Sequence, residues 1–198
     1  MIVAWFVGVN GVTSGCGVVG LLHSGIVPDR ASIERSMDSE SEPTQAFAAV
    51  NEAARVRALV EERRTAFPLG VAKLLLSAAL VAASATALAG RPGARNFAMQ
   101  AVALYALFSI VEFALSGRIR ASWIPEVAAA AQQLAVGSPS PIPIGDASLW
   151  WWFERVRFGI VDLGTMGAAL LALAAPRTKA FFAAMALDAA TIRQQDDE

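Results

Sequence analysis

Within its long apolar runs this chain holds His23, Lys73, Glu112 and Asp162, side chains that can exchange protons or pair as ions. Ionisable groups in hydrocarbon are costly, so by default they face a bundle interior or a water-filled cavity. Each of the four belongs to a different run. Counted from the ends that would share one face, His23 lies three residues in, Lys73 six, Glu112 three and Asp162 four. At about 1.5 Å per residue this sets all of them roughly 5–9 Å below one boundary. A common depth leaves three roles open. The groups can form an ion-pair network that fixes which helix sits beside which. They can snorkel to water. Or they can form a proton-relay or ligand-binding layer, with Lys73 between Glu112 and Asp162 and with His23 able to change charge. In that last role the two carboxylates titrate as a unit, which suits proton-coupled binding of a cationic compound.

Other chemistries lack their residues. Cys16 is seven positions from His23, about two helical turns, so no nucleophile meets a base, and no catalytic residue is expected. One His and one Cys exclude internal disulfides, His/Cys zinc sites and bis-histidine haem, so neither a metal nor a cofactor is expected. The balance of 16 Lys+Arg against 17 Asp+Glu gives a net charge of −1, which argues against nucleic acid as a partner.

The groups are positioned by four apolar runs: residues 2–26, 67–88, 97–115 and 158–175. A bilayer core of roughly 30 Å needs about 20 residues of helix. Lipid offers no partner to backbone groups, so such runs must be helical, and the alternation of a barrel strand is absent. The composition agrees: 56% of residues are hydrophobic and 17% charged, with mean hydropathy +0.50. Soluble domains carry about 25% charge and about 45–50% apolar residues. No Lys or Arg precedes Arg30, so the first run lacks the basic flank of a secretory signal and reads as a retained helix. The expected fold is all-α: a single membrane domain over residues 1–198, an integral membrane four-helix bundle. Two extramembrane helical excursions, 27–66 and 116–157, lie on one face, and a C-terminal surface helix lies within 176–198.

The excursions are 40 and 42 residues long, and the connector 89–96 is short. The chain therefore reads either as two helix–excursion–helix units related by an axis along the membrane normal, or as a coincidence of spacing. The first excursion opens polar. A helix then starts near Ser41 or Thr44, with Pro43 in its first turn and a stripe of Phe47, Val50, Ala53, Ala54, Val56, Leu59 and Val60. The second holds a helix over 126–136 and a stiff proline-rich stretch over 137–145. Trp150, Trp151 and Trp152 follow. Indole has an apolar body and a polar N–H, so they read as an interfacial anchor in preference to a stacking platform for a ring-shaped ligand. In the tail, Phe181, Phe182, Met185 and Ile192 would face lipid or protein.

Small residues mark a helix-packing face: Gly8, Gly11, Gly15 and Gly20 in the first run, Gly164 and Gly167 in the fourth. Gly11-x-x-x-Gly15 matches the close-approach pattern of membrane helices, with Asn10, Thr13 and Ser14 adding hydrogen bonds. Small residues lie nearly all round the first helix, more than one neighbour requires. This points to other membrane subunits or a second copy, unless a high-GC genome, visible in 14 Arg against 2 Lys, inflates Gly and Ala. The excursion face carries 10 Lys and Arg against 5 opposite, which places it in the cytosol by raw count, although it is also much the longer face. The function expected is a non-enzymatic accessory or structural subunit in the cytoplasmic membrane of a high-GC bacterium, in contact with membrane lipid. The alternative is a small proton-coupled carrier or membrane sensor built on the polar layer.

Overall fold

A computed structural model describes residues 1–25, 43–91, 93–136 and 146–196. The polar opening of the first excursion, the proline-rich stretch 137–145 and the last two residues lie outside that set. The described residues are all-α, with no strand. In chain order the helices are α1 (Ile2–Ser24), α2 (Pro43–Glu61), α3 (Arg63–Leu88), α4 (Ala94–Leu115), α5 (Gly117–Val136) and α6 (Ala147–Arg157). A π-helical segment (Phe158–Gly164), α7 (Thr165–Ala174) and α8 (Pro176–Asp196) complete them. Four helices are long and apolar enough to cross a membrane: Ile2–Ser24, Arg63–Leu88, Ala94–Leu115 and the composite Ala147–Ala174.

Helices begin and end where local chemistry dictates. Gly25, at φ +66°, closes α1, its N–H donating to the Leu21 carbonyl. Gly90 closes α3 in a Schellman arrangement: its N–H reaches the Ala87 carbonyl and that of Arg91 reaches Thr86. Ala175 is extended (ψ 141°) because Pro176 follows, and this separates α7 from α8. The Thr178 hydroxyl and Arg95 Nε then take the free carbonyls of Ala172 (2.8 Å) and Leu173 (2.9 Å). Glu62 and Ser116 are the single residues between α2 and α3 and between α4 and α5. Accordingly α3 starts four residues before the apolar run at 67. The second-excursion helix starts at Gly117 instead of 126, passing through Pro125, whose missing N–H costs one internal bond.

The chain divides into two compact units. The first comprises residues 1–16, 71–111 and 158–198. Its core is built largely of small side chains: Ala4, Ala83, Ala87, Ala94, Ala98, Ala101 and Ala169, around Leu80, Val102, Tyr105, Met166 and Leu173. Their spacing of three and four gives each helix one inward stripe. The second unit comprises residues 17–70 and 112–157. There α2 pairs with α5, burying Val50, Ala53, Ala54, Val56, Ile124, Val127 and Ala128. The stripe expected on α2 is thus the one used. Leu22, Ala58, Ala66 and Ile119 form the adjoining cluster.

Candidate functional site

Lys73, on α3, and Asp162, in the π-helical segment, are half-buried and belong to the first unit. Glu112, half-buried near the end of α4, and His23, exposed in the last turn of α1, belong to the second. Lys73, Glu112 and Asp162 each interact with other groups of the protein. Among the described residues no group of three His, Cys, Asp or Glu is placed to hold a metal ion.

Asp162 has a setting that its sequence context does not announce. The seven residues Phe158–Gly164 wind as a π-helix inside the fourth apolar helix. Such segments are rare, redirect backbone carbonyls out of the α pattern, and recur at functional sites. Here the Thr165 hydroxyl donates to the carbonyls of Val161 and, at 3.2 Å, Asp162. Gly159 and Gly164, poor α-formers, lie within the segment and are the one signal the sequence offers for it.

The glycines divide between two faces of α1. Gly8, Gly11 and Gly15 are buried, continuing the stripe begun by Ala4. A Cβ on Gly8 would lie 2.8 Å from Val81 Cγ2, and one on Gly11 2.2 Å from Ser77 Oγ, so these two glycines let α1 lie against α3. In the second unit Val18 packs on Gly70 of α3. Gly17 and Gly20 are exposed and open, in line with exposed Val3, Phe6, Asn10, Thr13 and Ser24 at alternating spacings of three and four. Gly167 likewise meets nothing within 4 Å, and Gly164 meets only the Gly159 carbonyl at 3.5 Å.

The second unit gathers several polar contacts. Trp123 Nε1 donates to Asn51 Oδ1 (3.0 Å), and Arg57 pairs with Glu126 (3.1 Å), tying α5 to α2. Arg120 is buried. Its guanidinium donates to the Phe113 carbonyl and to Ser116 Oγ (2.7 Å) while lying 3.8 Å above the Phe113 ring. It thereby caps one carbonyl near the end of α4. Burial pushes the Arg120 pKa down. Glu154 and Glu112 act against that shift, whereas Arg157 and Arg155 add to it. Glu154, itself buried, accepts from Arg157 Nη2 at 3.0 Å. Sequence reading treats these arginines only as orientation markers.

The tryptophans have distinct surroundings. Trp150 stacks on Phe47 of α2 with ring centres 5.8 Å apart, and meets Phe153 edge-on at 6.4 Å. Trp151 is half-buried, and Trp152 is exposed. Asp146 starts the helix that carries them. It accepts from the Ser148 N–H and the Ser148 hydroxyl, each at 2.8 Å, and these bonds hold its carboxyl below the usual carboxylate range. These contacts fix helix ends and the seams between helices, and one acid sits in a π-helical turn. No protein family, no curated protein and no solved structure matches the chain.

Proposed function

We propose that this chain is a non-enzymatic integral membrane protein of four spans, an accessory subunit in the cytoplasmic membrane that packs against the membrane helices of other polypeptides. The observation that carries this reading is the outward face of α1. Asn10 is exposed there inside an apolar helix, with Thr13, Gly17, Gly20 and Ser24 following at spacings of three and four. An amide facing acyl chains has no partner in lipid, and a neighbouring helix can supply one. Small residues along the same line allow backbones to approach closely. The inward line of Ala4, Gly8 and Gly11 is already taken up within the chain, so the outward line is spare. The paired helices α2 and α5 would then present a surface module beside the membrane.

Gentle detergent extraction followed by native mass measurement tests the assignment. A stable assembly with other polypeptides, weakened in Asn10→Leu, supports it. A lone monomer, or a homodimer cross-linked through exposed Cys16, overturns it.

A second reading, a proton-coupled carrier or sensor, is favoured by the π-helical placement of Asp162. Asp162→Asn combined with Glu112→Gln should then abolish pH-dependent transport or binding. Unchanged pH dependence removes both groups from mechanism.

A further inference from the structure

Helix α6 has its polarity reversed. Glu154 is its buried residue, 9% exposed, whereas Leu149, Trp152 and Phe153 are 51%, 65% and 55% exposed. In water this arrangement would hide a charge and display large apolar groups. At the boundary between headgroups and acyl chains it is favourable, because indole and phenyl rings partition to that layer.

Length places α6 at the same height. The composite helix Ala147–Ala174 is 28 residues. At about 1.5 Å per residue that is roughly 42 Å, against roughly 30 Å of hydrocarbon, which leaves about eight residues for the headgroup region at one end. The α7 end is uniformly apolar, so the surplus falls at α6.

Charge supplies the partner. Arg155 and Arg157 are exposed in the last turn of α6 and act electrostatically on Arg120, together with Glu154 and Glu112. Three guanidinium groups therefore stand against two carboxylates, a positive surplus. One carboxylate, Glu154, is committed to Arg157. Arg155 lies three residues after Trp152, so the two side chains are neighbours on one helical face.

We propose that this face binds the phosphate of an anionic phospholipid, held by Arg155 beside the Trp152 indole. Arg157 and Arg120 add to the attracting field, and Phe153 lies against the acyl chain. The site rests on the membrane-inserted reading above and not on the identity of any partner subunit.

The test uses the full chain in lipid nanodiscs containing equal phosphatidylglycerol and phosphatidylcholine, with retained lipid counted by native mass spectrometry. Wild type is expected to retain the anionic lipid about fivefold over the zwitterionic one, the effect of roughly one arginine at a charged surface. Arg155→Gln should bring the ratio to about one with unchanged thermal unfolding, and Trp152→Leu should lower retention of both lipids. Equal retention by wild type, or an unchanged preference in Arg155→Gln, overturns the proposal. So does displacement of the lipid by millimolar inorganic phosphate, which would identify a free-anion site. Failure of the wild type to enter discs of pure phosphatidylcholine would instead overturn membrane insertion itself.

Discussion

Gly11 and Ser77 set the tightest approach in the first unit, and their energetics run in opposite directions. A Cβ at Gly11 would meet Ser77 Oγ at 2.2 Å, Tyr105 Oη at 2.9 Å and Ser77 Cβ at 3.0 Å. Overpacking of this kind costs about 1–3 kcal/mol. The Ser77 hydroxyl is fully buried with no hydrogen-bond partner among the described residues, and such a group costs about 1–3 kcal/mol. Gly11→Ala should therefore lower the thermal unfolding temperature in detergent, and Ser77→Ala should raise it. The double variant should recover part of the loss, since the nearest obstacle is gone while the Tyr105 hydroxyl stays. Gly17→Ala and Gly20→Ala, which face open space, should change stability by less than about 0.5 kcal/mol. A neutral Gly11→Ala would show that α1 does not rest on α3 there. In the sequence these three glycines look alike. What separates them is helical phase relative to a neighbour, and the sequence carries no record of where that neighbour stands.

At the scale of elements, the α2–α5 pair is held by its apolar seam more than by its polar ties. Ile124 is almost wholly buried, so Ile124→Ala leaves a cavity and should cost about 2–5 kcal/mol. The Arg57–Glu126 pair is partly exposed on both sides, and Glu126→Gln should cost less than about 1 kcal/mol. Amide hydrogen exchange along α2 separates the two: fast exchange in Ile124→Ala, near wild-type protection in Glu126→Gln. The reverse order would mean that the ion pair holds the helices together. The α2 stripe was legible because Val50, Ala53, Ala54 and Val56 follow the helical period in a polar background. The start of α5 was not, because Pro125 reads as a boundary, although a helix tolerates it at the loss of one bond. The π-helical winding at Phe158–Gly164 was also hidden. It adds one residue to a turn without disturbing a pattern that is apolar apart from Asp162, so only Gly159 and Gly164 hint at it. The inverted polarity of α6 escaped for a related reason: Trp150, Trp151 and Trp152 are consecutive, and adjacent residues on a helix point in different directions. Trp150 stacks on a protein ring, whereas Trp152 is left exposed.

At the scale of the whole molecule, the proposed four spans would put both termini on one side of the membrane, and the arginines would decide which side. In that reading the α2–α5 side would carry Arg55, Arg57, Arg63, Arg64, Arg118, Arg120, Arg155 and Arg157, and by sequence position Arg30 and Arg35 would count with them. The opposite side has Arg91 and Arg95 in its turn, with Arg177, Lys179 and Arg193 in the tail. The greater length of the first side does not discount its count, because excursions of 40 and 42 residues fall inside the roughly 60-residue limit within which basic residues direct orientation. Nor does its acidic content, since Asp and Glu contribute little to that rule. Many of these arginines also lie close to span ends, where retention acts most strongly: Arg63 and Arg64 open α3, and Arg118 and Arg120 follow the end of α4. The paired helices α2 and α5 should therefore face the cytosol, which is also the leaflet where an anionic headgroup at Arg155 would be met most often. Alkaline phosphatase, active only outside the cytosol, reports this directly when fused at chosen positions. Fusions after Arg91 and after Glu198 should be active, and a fusion after Gln132 should be inactive. The opposite pattern would turn the protein over in the membrane, and activity at all three would mean that α4 and the composite helix Ala147–Ala174 do not span it.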